Sequence, residues 1–249
     1  MPTSAPARFP YLLFDLGSTL IYFSGDWPQV MADSLRACTH TLRELGYALD
    51  EQAFPLAYYA LIQEYQRRRG EPFIEFTAGH VLREALAAHS QPEPAEEHIT
   101  AALKAFYAVS QHHWLVEEDA HPTLQSLRAA GCRLGIVSNA SDDADVQTLV
   151  DNAAIRPYFD FVLTSALAGV RKPHPEIFRQ ALAHWPDVRP EQVLMVGDLR
   201  SADVAGANGL GFSSAWITRR ATPEDLPTAD PRYQPTFTIA TLSELLSIV

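Results

Sequence analysis

Beyond Pro122 the chain alternates short apolar runs with helical stretches, and the polar residue that stops each run is its most constraining feature. The pattern predicts a helix over Thr123–Ala130, halted by Gly131, and then a strand over Arg133–Val137 that ends at Ser138 and Asn139. Further strands are expected at Phe161–Thr164, Val193–Val196 and Ser214–Thr218, with helices at Pro175–Ala183 and at Ala202–Asn208, the latter closed by Gly209. Phe237–Ile239 leads into a last helix from Leu242 to about Ser247, and Tyr11–Phe14, stopped by Asp15, supplies an N-terminal strand. Strands joined by helical crossovers imply an α/β fold, a doubly wound, mostly parallel, Rossmann-like sheet whose ligands gather at the carboxyl ends of its strands.

Between Asp26 and Ser110 the period changes. Apolar residues recur at helical spacing (Val30, Leu35, Cys38 and Leu42; Phe54, Tyr58 and Tyr65; Val81, Leu82 and Leu86; Ile99, Leu103 and Phe106), with breakers such as Gly46, Gly70 and Pro92 between the segments. The expected organisation is an α/β core built from residues 1–21 and 116–249 and an α-helical insert over 22–115, a size that 249 residues accommodate. With 47% hydrophobic and 20% charged residues the composition is that of an ordinary globular protein, not a disordered, collagen-like or coiled-coil chain. Thirty acidic residues against 19 basic ones, a formal charge of −11, repel phosphate backbones and anionic lipid, so neither nucleic acid nor a membrane surface is an expected partner. The Arg67–Arg69 run reads as a solvated helix end and Thr222–Pro235 as a surface loop. Cys38 and Cys132 lack disulfide or zinc spacing, and the apolar run at Tyr11–Phe14 is too brief for a signal or a membrane span, so a reducing cytoplasm is the expected setting. Nothing in the sequence speaks to oligomeric state.

The strand ends present Asp15, then Ser138 with Asn139, then Asp198 followed by Asp203, while Lys172 lies in the loop after the strand at Phe161–Thr164. Each has an ordinary structural alternative. Aspartates after strands are common turn residues, Asp203 could cap a helix, Ser138 and Asn139 could merely end a strand, and Lys172 could be an exposed loop lysine. Together, however, FDLGST (Phe14–Thr19), VSN (Val137–Asn139), RKP (Arg171–Pro173) and GDLRSAD (Gly197–Asp203) run in the order that resembles the haloacid dehalogenase superfamily, and the helical insert looks like that family's cap. The resemblance implies a hydrolase of small phosphorylated or otherwise anionic substrates with Mg2+ as cofactor. By resemblance, Asp15 is nucleophile and metal ligand, and Asp198, Asp203 and the Gly17 backbone carbonyl complete the metal site. Lys172 neutralises charge at Asp15, while Ser138, Asn139 and Lys172 contact the substrate. The chemistry suits these residue types: a carboxylate attacks an anionic phosphate only where cations offset the repulsion, and Mg2+ takes hard oxygen ligands.

One position departs from the family pattern. Where its phosphatases carry an acid/base Asp, two residues after the nucleophile, this sequence has Gly17, so weak turnover of alkyl phosphates is expected. The same change suits carbon–halogen cleavage, which needs no leaving-group acid, and it leaves room for a non-catalytic phosphate binder. A Schiff-base phosphonate route through Lys104, the one other lysine, has no motif around it.

Overall fold

The computed structural model describes residues 8–68, 70, 72–221 and 229–249. The start of the N-terminal segment, Arg69 of the arginine run and the first half of the Thr222–Pro235 stretch lie outside these. Eight strands are present among the described residues: β1 Tyr11–Phe14, β2 Ile21–Phe23, β3 Trp114–Val116, β4 Arg133–Ser138, β5 Phe161–Thr164, β6 Val193–Gly197, β7 Ser213–Ile217 and β8 Phe237–Ile239. Six of them form one all-parallel sheet in the order β5-β4-β1-β6-β7-β8. The order reverses on either side of β1, the switch point where doubly wound sheets place their ligands.

The register fixes what meets at that point. Phe14 is opposite Ile136 on one side and Val196 on the other, so the residues that follow each strand emerge at a common edge. Alternate side chains divide between the two faces of the sheet. Leu12, Phe14, Ile136 and Val196 pack with Leu124 and Leu127 of α5 (Ala120–Ala129) and Val146 and Val150 of α6 (Asp143–Asn152). Leu13, Val137 and Met195 pack with Ile177 and Phe178 of α8 (Pro175–Leu182) and Ala207 of α9 (Ala205–Leu210). Burial on both faces is why these strands read as unbroken apolar runs.

Four helices fill the insert: α1 Trp27–Glu44, α2 Ala53–Arg68, α3 Ala78–Ala88 and α4 Glu96–Gln111. They close around their own apolar cluster, in which Cys38, Leu42, Phe54, Leu82, Leu86 and Ala102 are wholly buried. Where the chain enters and leaves this bundle, β2 and β3 pair antiparallel, Phe23 opposite Trp114 and Ile21 opposite Val116. Among the described residues no helix is long and apolar enough to cross a membrane.

Two endings differ from the sequence expectation. The helix after Asp198 opens with a wide π turn over Arg200–Val204 and runs on to Leu210, so Gly211, at φ 76°, closes it in place of Gly209. The last segment, Leu242–Ser247, is a 3-10 helix with an N-terminal capping box from Thr241 and Glu244.

Candidate active site

Asp15, Ser138 and Asp198 leave β1, β4 and β6 at the switch point and, with Gly17, Lys172 and Asp203, line a crevice of about 310 Å³. The three carboxylates each place an oxygen within 4.8 Å of the others. Lys172 reaches in from the loop beyond α7 (Ser165–Ala168), and its Nζ donates to Asp15 Oδ1 and to Asp203 Oδ1, both at 2.6 Å. Burial works against the charge on Lys172, but the two carboxylates outweigh it and lift its pKa above the ordinary lysine value.

Around that ammonium the acids are over-supplied. Burial, together with the negative charges of Asp15 and Asp203, pushes the Asp198 carboxyl up to about 8 despite Lys172 nearby. Burial likewise raises Asp203 to about 6, against the pull of Lys172 and of a hydrogen bond from the Leu199 N–H at 3.0 Å. Three oxygen donors with one cation between them form an all-oxygen, electron-rich set, which fits a small divalent cation.

The surroundings hold these groups in place. Asn139 donates from Nδ2 to the Lys172 carbonyl at 3.0 Å and accepts from the Lys172 N–H at 2.8 Å, a reciprocal clamp on the lysine's backbone that its place in the motif did not suggest. Trp216 Nε1 donates to the Asp198 carbonyl at 2.8 Å. A Cβ on Gly197 would lie 2.2 Å from Asp203 Cγ, so only glycine lets β6 pass this close to Asp203. Ser138, the last residue of β4, is buried at the crevice wall.

Three further residues lie in the crevice wall or brace it. Trp114 of β3 lies over Gly17, with its six-membered ring 3.7 Å from where a Gly17 Cβ would sit. The left-handed residue of that turn is Ser18, at φ 57°, so Gly17 is not required for backbone freedom. Glu75, buried between α2 and α3, accepts from Ser165 Oγ at 2.7 Å and pairs with Arg171 at 3.4 Å, tying the helical insert to the loop that carries Lys172. A lone acid within the apolar run Phe73–Phe76 was the signal for it. Asp145, near the start of α6, accepts from Gln111 Nε2 of α4 at 2.9 Å and lines the crevice as well. Lys104 lies outside the crevice, in a separate cleft beside α4.

The chain is similar to known proteins along most of its length. Over 242 residues the chain is 28% identical to a ribulose-1,5-bisphosphate 5-phosphatase of Halopiger xanaduensis, covering 96% of this chain and 98% of that one. It is 33% identical over 210 residues to a glyceraldehyde 3-phosphate phosphatase of Pyrococcus furiosus, covering 84% and 81% respectively. The crystal structure of a 2-haloacid dehalogenase from Pseudomonas syringae shares the fold, with a TM-score of 0.66 at 24% identity over 96% of this chain and 97% of that one. A family model for haloacid dehalogenase-like hydrolases matches residues 10–211. With that match spanning the helical insert and four of the sheet's six strands, the chain belongs to the haloacid dehalogenase-like hydrolase family.

Proposed function

We propose that the protein is a Mg2+-dependent phosphohydrolase that cleaves a small phosphorylated metabolite through an aspartyl-phosphate at Asp15, in the cytoplasm. In this reading residues 1–21 and 116–249 form the catalytic core and residues 22–115 a cap over it. The observation that carries it is the trio Asp15, Asp198 and Asp203, gathered within 4.8 Å around one lysine. Displacement of halide by a carboxylate has no need of so many acids, whereas a divalent cation does. The named phosphatases among the relatives support the same chemistry.

Asp15, Asp198, Asp203 and the Gly17 carbonyl would hold the ion, which supplies the positive charge that lets an anionic phosphate approach an anionic nucleophile. Lys172 holds Asp15 Oδ1 in position and adds charge beside it. The Ser138 hydroxyl donates to a phosphoryl oxygen, and Asn139 fixes the loop from which Lys172 reaches in. The other Asp15 oxygen attacks phosphorus, the ester oxygen departs, and water then cleaves the acyl phosphate. Gly17 offers the departing oxygen no proton.

Hydrolysis of acetyl phosphate and phenyl phosphate that rises with Mg2+ and stops in excess EDTA is the expected result, with Asp15→Asn folded but inactive. Gly17 favours the dehalogenase reading in one respect, so 2-chloropropionate belongs in the same assay. Chloride release undiminished by EDTA, with no phosphate release, would replace the proposal.

A further inference from the structure

Beside the acidic crevice the four insert helices line a second cavity of about 170 Å³, and Trp114 and Asp145 line both spaces. Its walls are largely apolar and aromatic, among them Tyr58, Ile62, Val81 and Phe106, with Tyr58, Val81 and Phe106 buried. An apolar cavity of roughly 150 Å³ accepts a benzene molecule, so one six-membered ring is the natural occupant by size. The wall is not entirely apolar. Ser34 of α1 lines it at 1% exposure, and among the described residues its Oγ has no hydrogen-bond partner. Buried hydroxyls are nearly always satisfied, so an orphan within the wall of a cavity points to a polar atom that arrives with a ligand as the wall adjusts around it.

One feature of the shared wall and one of the acidic crevice narrow the ligand. Asp145 is half-buried there, and burial raises its carboxyl to about 6, against the hydrogen bond from Gln111. Above that pH it is an anion in the wall that both spaces share, and it opposes a second negative group on the substrate. Gly17 provides no leaving-group acid, which favours an oxygen that departs as a stable anion, and a phenol (pKa about 10) does so far more readily than an alkyl alcohol.

We infer that the substrate is the phosphate ester of a single-ring phenol bearing one uncharged polar substituent, with the ring among Tyr58, Ile62 and Phe106, the substituent at Ser34 Oγ and the phosphoryl group beside Asp15. The inference rests on the phosphohydrolase reading above and deepens it. In the first step the Asp15 carboxylate forms an O–P bond while the aryl O–P bond breaks, and the aryl oxygen leaves with the electron pair as a phenolate. In the second, water cleaves the acyl phosphate, its oxygen going to phosphate, and a proton from the water neutralises the phenolate.

The test is kcat/KM on 3-hydroxyphenyl phosphate, phenyl phosphate, 3-carboxyphenyl phosphate, glyceraldehyde 3-phosphate and acetyl phosphate, the last too small to reach the second cavity. The hydroxyphenyl ester is expected to exceed both the carboxyphenyl ester and glyceraldehyde 3-phosphate by about tenfold or more. Ile62→Trp, which fills the cavity, should cut the hydroxyphenyl-to-acetyl selectivity at least tenfold. Ser34→Ala should lower the hydroxyphenyl-to-phenyl ratio by about tenfold, and it carries the test should Ile62→Trp fail to fold. Acetyl phosphate hydrolysis with both ratios unmoved, or with glyceraldehyde 3-phosphate preferred, overturns the substrate class and leaves the phosphohydrolase reading standing. No hydrolysis of any ester overturns both.

Discussion

Substituting Gly17→Asp should raise turnover of alkyl phosphates by about 10²-fold or more. A Cβ at position 17 would sit 3.7 Å from Trp114 Cη2 and Cζ3, an ordinary contact distance, and the backbone there is not left-handed, so the side chain can be added without moving the turn. Loss of glycine's freedom in the unfolded chain contributes about 0.4–1 kcal/mol toward stability, enough to offset a modest shift of the indole. The new carboxyl would stand two residues from Asp15 in a crevice already rich in negative charge, and both burial and like charge raise a carboxyl's pKa, the direction a proton donor needs. Positioned general acids are worth about 10²–10⁴-fold, or about 3–5 kcal/mol of barrier. The gain must be selective: glycerol 3-phosphate, whose alkoxide leaves poorly, should gain about 10²-fold or more, and phenyl phosphate less than about tenfold. Steady-state kinetics on both esters at saturating Mg2+, with a thermal melt to verify folding, reads this out. A folded variant whose glycerol phosphate rate is unchanged or lower refutes the reasoning, and an equal gain on both esters shows that protonation is not what changed.

How much of this could be read from the residues depends on how local each signal is. The sheet was legible because a parallel strand buried on both faces needs an uninterrupted apolar run, and Leu12–Phe14 and Leu194–Val196 are such runs, the first followed by Asp15 and the second by Gly197 and Asp198. Asp15, Lys172, Asp198 and Asp203 were legible through motif order alone, and they do converge. β2 and β3 were not, because three residues carry no measurable period and their pairing joins positions about 90 residues apart. That hidden pairing places Trp114 over Gly17, so the vacant acid position and the ring beside it are visible only together. Glu75 and Asn139 act through partners distant in sequence, Ser165 and Arg171 for the one and the Lys172 backbone for the other. Their side-chain types permit such contacts without announcing them. The helix runs past Gly209 and ends at Gly211, whose left-handed backbone closes it, and Asp203 reaches Lys172 from within the wide turn at Arg200–Val204.

The remaining perturbations act on the charges that this convergence creates. Lys172→Met leaves Asp15 and Asp203 facing each other without the cation between them. Breaking such a buried arrangement is expected to lower stability by about 3–5 kcal/mol in urea unfolding and to abolish turnover, and a variant as stable as the wild type would show that the lysine's charge is not holding the trio. Gly197→Ala puts a methyl group onto Asp203 and should cost about 1–3 kcal/mol and most of the activity, whereas full activity would mean that Asp203 can move freely. Asp145→Asn tests the sign of a buried charge. Burial raises the folded-state value to about 6 from the ordinary 3.8, so the folded protein binds that proton more tightly than the unfolded chain does. The cost of burying the anion is therefore present in full above about pH 6 and fades as pH falls from there toward 3.8. Asparagine keeps an oxygen for Gln111 and carries no charge, so the variant should be more stable than wild type by up to about 3 kcal/mol at pH 8, with the difference closing by pH 4. Urea denaturation at several pH values measures it directly, and a difference that does not change with pH would mean that the carboxylate is as well solvated in the folded protein as in the unfolded chain.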